Sequence, residues 1–212
     1  GWGVPFRAEN HLLVEVKSRF FPPHYPWPKH LTLTQDRLFT ELTLDGAEVR
    51  APTPALHLLL CSLHAAWHGW ERMAWLVDIG GLLVRQPGVY QEAQALTRRH
   101  PFARRALDTS CGMAIHFFGL NASLADAPPV PAPILAQVTD LLNGTARPLR
   151  SRQLRALHES LMTCREIITY RLRRALIPGD GDFRWIALSP ALRWLYWPLR
   201  PLRIIWRSAT RT

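Results

Sequence analysis

The sequence predicts a predominantly α-helical α+β protein, with a small mixed or antiparallel sheet followed by a helical domain. Residues 11–20 alternate between apolar and polar side chains, as a half-buried strand does. Asp45-Gly46 is a strong hairpin-turn signal. From residue 53 onward, apolar residues recur at three- and four-residue spacing, which indicates helices. We therefore divide the chain into a sheet over residues 1–52 and a helical domain over residues 53–212, which ends in a segment rich in arginine and tryptophan.

The predicted strand over residues 11–20 has one apolar and one largely charged face. Leu12, Val14 and Val16 share the first face, and Leu13, Glu15, Lys17 and Arg19 share the second. One acidic and two basic side chains on an open face suit the wall of a phosphate-binding site. An isolated Glu15 is also compatible with an ordinary exposed carboxylate.

Between this strand and the helices we expect a loop and a hairpin. Residues 22–30 are rich in proline and predict an extended loop. Two short extended segments follow, at 38–44 and 47–51, on either side of the Asp45-Gly46 turn. We expect them to complete the sheet that begins with the Glu15 strand.

Residues 53–85 predict two helices joined by a tight turn at Gly69. Thr53 is a plausible N-cap, and Pro54 suits the first helical turn. The first helix has one apolar face, made by Leu56, Leu59, Leu60 and Leu63, and a second face that carries His57, Cys61, His64 and His68. The second helix, from about Trp70 to Arg85, has a core stripe of Met73, Leu76, Ile79 and Leu83, with Glu71, Trp75 and Asp78 on a different side.

The histidine-bearing face has two interpretations. The four metal-ligating side chains from His57 to His68 extend over about 16 Å of helix axis, so they do not all reach one ion. Two of the histidines, together with Asp78 or Glu71 from the second helix, could reach one ion. In the other interpretation, Arg72 or a histidine pairs with Asp78 across the hairpin and fixes a groove. Contact of His64, His68, Arg72 and Asp78 with phosphate or substrate is a hypothesis that extends this structural role.

Further helices are predicted beyond the hairpin, at 89–99, 102–118, 134–143 and 150–176. Gly119 and Asn121 end the second of these, and residues 125–133 form a Pro/Ala linker. In the last helix we expect a core-facing stripe of Leu154, Leu157, Leu161, Ile168 and Leu172.

The C-terminal segment 188–207 mixes tryptophans with arginines. It suits a membrane interface, stacking on nucleic acid, or docking on the rest of the domain through arginine stems. Pro198 and Pro201 are expected to interrupt a helix here, which weakens the membrane interpretation. Docking on the domain is the favoured interpretation.

Composition limits the classes of function. The formal net charge is +10, and only Lys17 and Lys29 are lysines. This arginine excess permits nucleotides, nucleic acid or anionic lipid as partners, although a GC-rich genome also produces it. Three widely spaced cysteines predict buried free thiols and a cytoplasmic protein. No apolar run reaches about 18 residues, so no transmembrane segment is expected, and the chain does not open with a signal-peptide pattern. A G-x-S-x-G elbow, a Walker loop and a Rossmann fingerprint are all missing from the sequence.

The hairpin also carries a family resemblance. Residues 63–79, LHAAWHGWERMAWLVDI, are similar to the pattern L-H-x-x-x-H-x-W-x-R-L-x-W-L-x-D-I of a large bacterial family of uncharacterised nucleotidyltransferases. The matching positions are His64, His68, Trp70, Arg72, Trp75 and Asp78.

Two further stretches resemble the same family. Glu15 and Arg19 match a strand of the form V-E/D-L-H-W-R, with Lys17 and Ser18 in place of His-Trp. The resemblance implies that Glu15 is a catalytic carboxylate and metal ligand. The family's C-terminal outline matches Asp182 to Trp185, Leu188 to Pro190, and Leu195 to Arg203.

The resemblance implies transfer of a nucleotide from an NTP, with Mg²⁺, to an unknown acceptor that is a small molecule or a protein. The sheet would then be the remnant of a nucleotidyltransferase fold. The family's Gly-Ser turn and its D-x-D pair would precede Gly1, because the D-x-D at Asp180 and Asp182 follows a helix near the C-terminus. We therefore expect this chain to be incomplete or inactive alone. The alternative is a non-catalytic basic helical module that binds nucleic acid or a protein partner.

Overall fold

The computed structural model describes residues 3–7, 13–17, 21, 24–28, 31 and 35–209, with residues 3–7, 13–17, 180 and 207–209 described as backbone alone. It separates the chain into two compact units. We call Trp27–Thr163 the helical unit, and Gly1–Pro26 together with Cys164–Thr212 the terminal unit. Most described residues are helical and the rest include short antiparallel strands, which confirms the predicted predominantly α class.

The helical unit contains a β-hairpin followed by six helices among its described residues. The strands are β3 (Phe39–Leu44) and β4 (Ala47–Pro52). The helices are α1 (Pro54–Trp67), α2 (Met73–Arg85), α3 (Val89–Thr97), α4 (Pro101–Phe118), α5 (Ala132–Leu142) and α6 (Ser151–Ser160). The proline in the first turn of α1 and the left-handed Gly119 after α4 confirm the predicted start of α1 and the predicted end of α4.

The hairpin forms at the predicted turn, where Asp45 and Gly46 both have positive φ angles, 49° and 81°. The expectation that it completes the sheet of the Glu15 strand is wrong. The described strands form two separate two-stranded sheets, and β3 pairs with β4 alone, from Phe39 opposite Pro52 to Leu44 opposite Ala47. A two-residue turn brings these strands together at the lowest loop-closure cost, so local pairing satisfies their backbone groups.

The core of the helical unit lies among α1, α2, α3 and α4. The largest fully buried side chains that these elements and the α1–α2 turn contribute are Leu56, Leu58, Leu59, Leu63, Trp70, Leu76, Ile79, Leu83, Tyr90 and Phe102. The predicted stripe of α2 is confirmed for Leu76, Ile79 and Leu83, but Met73 is exposed because it lies in the first turn of the helix. The histidine-bearing face of α1 lies outside this core.

The predicted helix over 150–176 is two helices, α6 and then α7 (Cys164–Leu176), which belongs to the terminal unit. The Leu161 carbonyl accepts a 3.3 Å hydrogen bond from Arg105 Nη1 on α4, and Leu161 and Met162 are buried at the break. Leu157 and Leu161 are buried as expected, whereas Ile168 and Leu172 are 60% and 56% exposed, so this part of the core prediction is wrong.

In the terminal unit, the described backbone forms strands β1 (Gly3–Arg7) and β2 (Leu13–Lys17), then α7, α8 (Asp180–Trp185) and α9 (Tyr196–Ala209). β1 and β2 are antiparallel, with Pro5 opposite Glu15. The strand predicted around Glu15 is thus confirmed over residues 13–17. The interruption expected at the prolines is wrong: Pro198 lies in the first turn of α9, where its missing N–H costs nothing, and Pro201 lies inside the helix. None of the helices in the described residues is long and apolar enough to cross a bilayer.

Candidate functional site

The turn between α1 and α2 has a left-handed backbone at two successive residues. Gly69 has φ +66° and Trp70 has φ +54°. A Cβ on Gly69 would lie 2.9 Å from Leu149 Cδ1 and 3.2 Å from Leu154 Cδ1, so glycine also makes room for α6 and the segment before it. The Trp70 ring, which is fully buried, fixes the turn against the core. The conformation of this turn therefore determines where the side chains that follow it, Arg72 and Trp75, lie.

Three side chains of the predicted site form one cluster with Trp75 beside this turn, which we call the hairpin cluster: His64, His68, Arg72 and Trp75. The two imidazole centroids are 4.7 Å apart. The Trp75 centroid is 5.1 Å from that of His64 and 5.0 Å from that of His68. The Arg72 guanidinium lies 5.7 Å from the Trp75 ring centroid, within the range of a cation–π contact. Three groups that can donate hydrogen bonds to an anion therefore surround one indole.

The hairpin cluster is open to solvent on one side. His64, His68 and Trp75 are half-buried, and Arg72 is exposed. A cleft of about 250 Å³ adjoins it, lined by Glu71, Arg72, Leu141, Ala146 and Pro148. Arg72 thus belongs both to the cluster and to the wall of a cleft. A second cleft, of about 330 Å³ between α2 and the end of α4, is apolar apart from Arg85.

Asp78 has different neighbours from those expected. No ion pair joins Arg72 to Asp78 among the described residues, and the guanidinium lies over Trp75 instead. Burial and the nearby Asp78 charge together raise the pKa of the Cys61 thiol to about 11. Cys61 is therefore a protonated thiol at neutral pH, which argues against a nucleophilic thiolate here. The structure brings together three of the four predicted hairpin residues and leaves Asp78 exposed on the next turn of α2.

Two supporting contacts of the hairpin were not expected from the sequence. His158 on α6 is buried, and its Nε2 donates to the carbonyls of Ala66 and Trp67 at 3.2 and 3.1 Å, which satisfies the last turn of α1. Its ring also stacks on Trp67 at 5.5 Å. The contact joins residues about 90 positions apart, so no local pattern signals it.

The cysteines are all free, as predicted, but they are not all buried. Cys111 is buried in α4, Cys61 is half-buried in α1, and Cys164 is exposed at the start of α7. Burial raises the pKa of the Cys111 thiol.

The other predicted site residues lie on or near β2. Glu15 and Lys17 are in the strand, but their side chains lie outside the described ones, and Arg19 lies outside the described residues altogether. Among the described side chains, no three His, Cys, Asp or Glu residues converge as a metal would require. Because the Glu15 side chain lies outside the described ones, its role as a ligand of Mg²⁺ stays a prediction.

Comparison of the chain with protein-family models, with curated proteins and with solved structures finds no match.

Proposed function

We propose that the hairpin cluster binds the phosphate groups of a nucleoside triphosphate, in a nucleotidyltransferase-like protein that transfers a nucleotide to an acceptor. The observation that carries the proposal is the convergence of His64, His68 and Arg72 around Trp75 beside a cleft. The resemblance of residues 63–79 to a nucleotidyltransferase family supports the same ligand.

Arg72 is the principal phosphate ligand in this proposal. Its guanidinium is exposed and rests on an indole face, so its donors are oriented before the ligand arrives. A planar guanidinium pairs bidentately with phosphate oxygens, and an ionised acceptor strengthens these hydrogen bonds. His64 and His68 on α1 add imidazole N–H donors beside the same indole, with ring centroids 5.1 and 5.0 Å from that of Trp75.

The volume of the cleft limits which part of a nucleotide it can hold. Sites for whole small-molecule ligands have volumes of about 300 to 1,000 Å³. At about 250 Å³ the cleft lies just below this range, so it suits a base or a sugar rather than an entire nucleotide. Leu141 and Pro148 supply an apolar wall, and Glu71 an acceptor for amino or hydroxyl groups. The phosphates would then lie outside the cleft, at Arg72 and the histidines.

Glu15 and Mg²⁺ complete the proposal only as predictions from the family resemblance. In nucleotidyl transfer, Mg²⁺ supplies charge stabilisation of the attacking and leaving oxygens. The described residues bind and orient in this proposal, and they carry no bond-making step.

The proposal is tested by the thermal stability of the full chain in ATP, GTP, CTP and UTP, with and without Mg²⁺. A ligand at a hundred times its Kd adds about 2.7 kcal/mol to the free energy of unfolding, which is a measurable rise in Tm. We expect Arg72→Ala to abolish the rise and Arg99→Ala to retain it, since Arg99 is an exposed arginine in the turn between α3 and α4. A Mg²⁺-dependent part of the rise that Glu15→Ala removes would support the metal prediction. Equal shifts in the Arg72 and Arg99 variants would overturn the phosphate site.

The second candidate is a non-catalytic module that binds nucleic acid or a protein partner, which the net charge of +10 favours. Fluorescence anisotropy with a labelled oligonucleotide distinguishes this binding module from a nucleotide site at the hairpin cluster. Oligonucleotide binding that falls steeply with salt, and that Arg72→Ala and Arg99→Ala weaken equally, would support diffuse electrostatic binding and not a nucleotide site.

A further inference from the structure

Helix α9 of the terminal unit packs on its neighbours through its polar side. Asp182 on α8 is buried, and its carboxylate accepts hydrogen bonds from Arg200 Nη1 and from Arg203 Nη1, the second at 2.6 Å. Arg200 also donates from Nε to the Arg174 carbonyl of α7 at 2.9 Å. Tyr196 donates to the Ile186 carbonyl at 2.6 Å and is 4% exposed. At about 100° per residue, Tyr196, Arg200 and Arg203 share one side of the helix, so the charged side of α9 faces inward.

The remaining sides of α9 are largely apolar and face solvent. Its exposed side chains are Trp197, Leu202, Ile204, Ile205 and Trp206, between 44% and 64% exposed. This arrangement is the reverse of an ordinary amphipathic surface helix, which buries its apolar stripe. Leaving these side chains in water has a free-energy cost of about 25 cal/mol for each Å² of apolar surface, so the structure favours a partner that covers them.

Other elements of the terminal unit also expose apolar side chains, and the Trp185 ring of α8 lies 6.3 Å from the Trp206 ring of α9. The exposed residues there are Ile168, Leu172 and Leu176 on α7, Phe183 and Trp185 on α8, and Leu192 and Trp194 in the 3₁₀ segment Pro190–Leu195. Twelve of the eighteen exposed large apolar side chains among the described residues thus lie after Cys164. Scattered exposed apolar residues are normal on soluble proteins, but such a concentration marks an interaction surface.

The net charge of residues 164–212 indicates which kind of partner suits this apolar surface. Residues 164–212 contain ten arginines, no lysine, and three acidic residues, a formal charge of +7. Arg165, Arg171, Arg184 and Arg193 are exposed. A unit that exposes tryptophan and aliphatic side chains together with arginines matches the interface of an anionic bilayer, where indoles lie at headgroup level and arginines meet lipid phosphates.

We propose that the terminal unit docks on anionic lipid bilayers, with the apolar side of α9 inserted at the headgroup boundary. The fourteen residues of α9 extend about 21 Å, less than the roughly 30 Å of bilayer hydrocarbon, so the helix lies in the plane of the interface. The ion pairs with Asp182 keep Arg200 and Arg203 on the side of α9 that faces the protein. Their charges therefore do not oppose insertion of the other side into the bilayer. A nucleic-acid platform fits α9 less well, since the helix exposes the aliphatic Leu202, Ile204 and Ile205 beside its tryptophans, while its Arg200 and Arg203 point to Asp182.

The test is co-sedimentation of the full chain with vesicles of phosphatidylcholine alone, or with about 30% phosphatidylglycerol. We expect binding to the anionic vesicles, at least tenfold weaker binding to the neutral ones, and a blue shift of tryptophan fluorescence on binding. The double variant Trp197→Ser/Ile205→Ser removes two exposed side chains and should weaken binding roughly tenfold or more. The matched control is Leu42→Ser/Leu44→Ser, because these side chains are exposed on the β-hairpin of the helical unit. Circular dichroism checks that both variants remain folded.

Three outcomes would overturn the proposal. Vesicle binding that is equal in the double variant and the parent chain would show that α9 does not insert. Binding to a single-stranded oligonucleotide but not to vesicles, lost in the double variant, would assign the surface to nucleic acid. A dimer in analytical ultracentrifugation, dissociated by the same variant and without vesicle binding, would assign it to a second copy of this chain.

Discussion

The Trp70 Nε1–H donates a 2.8 Å hydrogen bond to Ser110 Oγ, and both side chains are fully buried. The Ser110 hydroxyl in turn donates a 3.2 Å hydrogen bond to the Ser62 carbonyl of α1. Trp70 is the second left-handed residue of the hairpin turn. One serine on α4 thus fixes the turn that positions Arg72 and Trp75.

Replacing this serine is expected to destabilise the helical unit. Ser110→Ala leaves the Trp70 N–H buried without its acceptor, which should lower the free energy of unfolding by about 1–3 kcal/mol. Urea denaturation followed by far-UV circular dichroism measures the change. Ser123→Ala is the control, because Ser123 is exposed and its loss should change stability by less than about 0.5 kcal/mol. Equal midpoints for both variants would show that this hydrogen bond does not fix the turn.

Gly69→Ala is expected to be more destabilising than Gly88→Ala, although both glycines have positive φ angles. An L side chain in the left-handed region costs about 1–2 kcal/mol, and at Gly88, with φ +83° and open space around its Cβ, nothing is added. At Gly69 the Cβ would also displace Leu149, which should cost about 1 kcal/mol more. Chemical denaturation of the two variants side by side measures the difference. Equal losses would indicate that Leu149 moves aside freely.

Asp182→Asn is expected to destabilise the terminal unit strongly. It leaves Arg200 and Arg203, 15% and 9% exposed, without their carboxylate, and loss of one partner from a buried ion pair costs about 3–5 kcal/mol. Limited proteolysis near α9 and thermal unfolding both report the loss. The control is Asp36→Asn, since the Asp36–Arg50 pair is solvent-exposed and worth about 1 kcal/mol or less. If Asp182→Asn were no worse than this control, α9 would be held by its apolar contacts instead.

Local signals in the sequence predicted local structure well. Thr53 caps α1, with Oγ1 accepting from the Leu56 N–H at 3.4 Å, and Asp45-Gly46 forms its hairpin turn. Gly119 ends α4 in a left-handed conformation. Each of these depends on neighbouring backbone groups alone, so a few adjacent residues are enough to specify it.

Several of the failures depend on distant residues. The break after α6 coincides with a contact from Arg105, which is 56 residues away, and the α1 end is capped by His158. The periodicity of α7 and α9 identifies which residues share a side of the helix, but not whether another element covers that side. Within the hairpin the failure is local: Arg72 or a histidine was expected to pair with Asp78, since opposite charges attract, whereas the Arg72 guanidinium lies over the Trp75 ring one turn away.

Removal of the Asp78 charge is expected to make Cys61 more reactive. The pKa of this thiol is raised to about 11, first by burial and second by Asp78. A negative charge disfavours the thiolate, so Asp78→Asn should lower the pKa, and burial keeps it above its ordinary value. Because the rate of alkylation follows the thiolate fraction at a fixed pH below 9, Cys61 should react faster in Asp78→Asn than in the parent chain. In the parent chain the rate should rise tenfold per pH unit until the pH nears 11.

Iodoacetamide labelling followed by peptide mass spectrometry measures the rate at Cys61 separately from the other two thiols. Cys164 is an internal reference because it is exposed, and it should react at the same rate in every variant. Glu71→Gln is the matched control: it removes a carboxylate from the same hairpin, but not the one whose charge acts on this thiol. An unchanged rate at Cys61 in Asp78→Asn would mean that burial alone sets the pKa, and an equal increase in Glu71→Gln would indicate a general effect of hairpin charge.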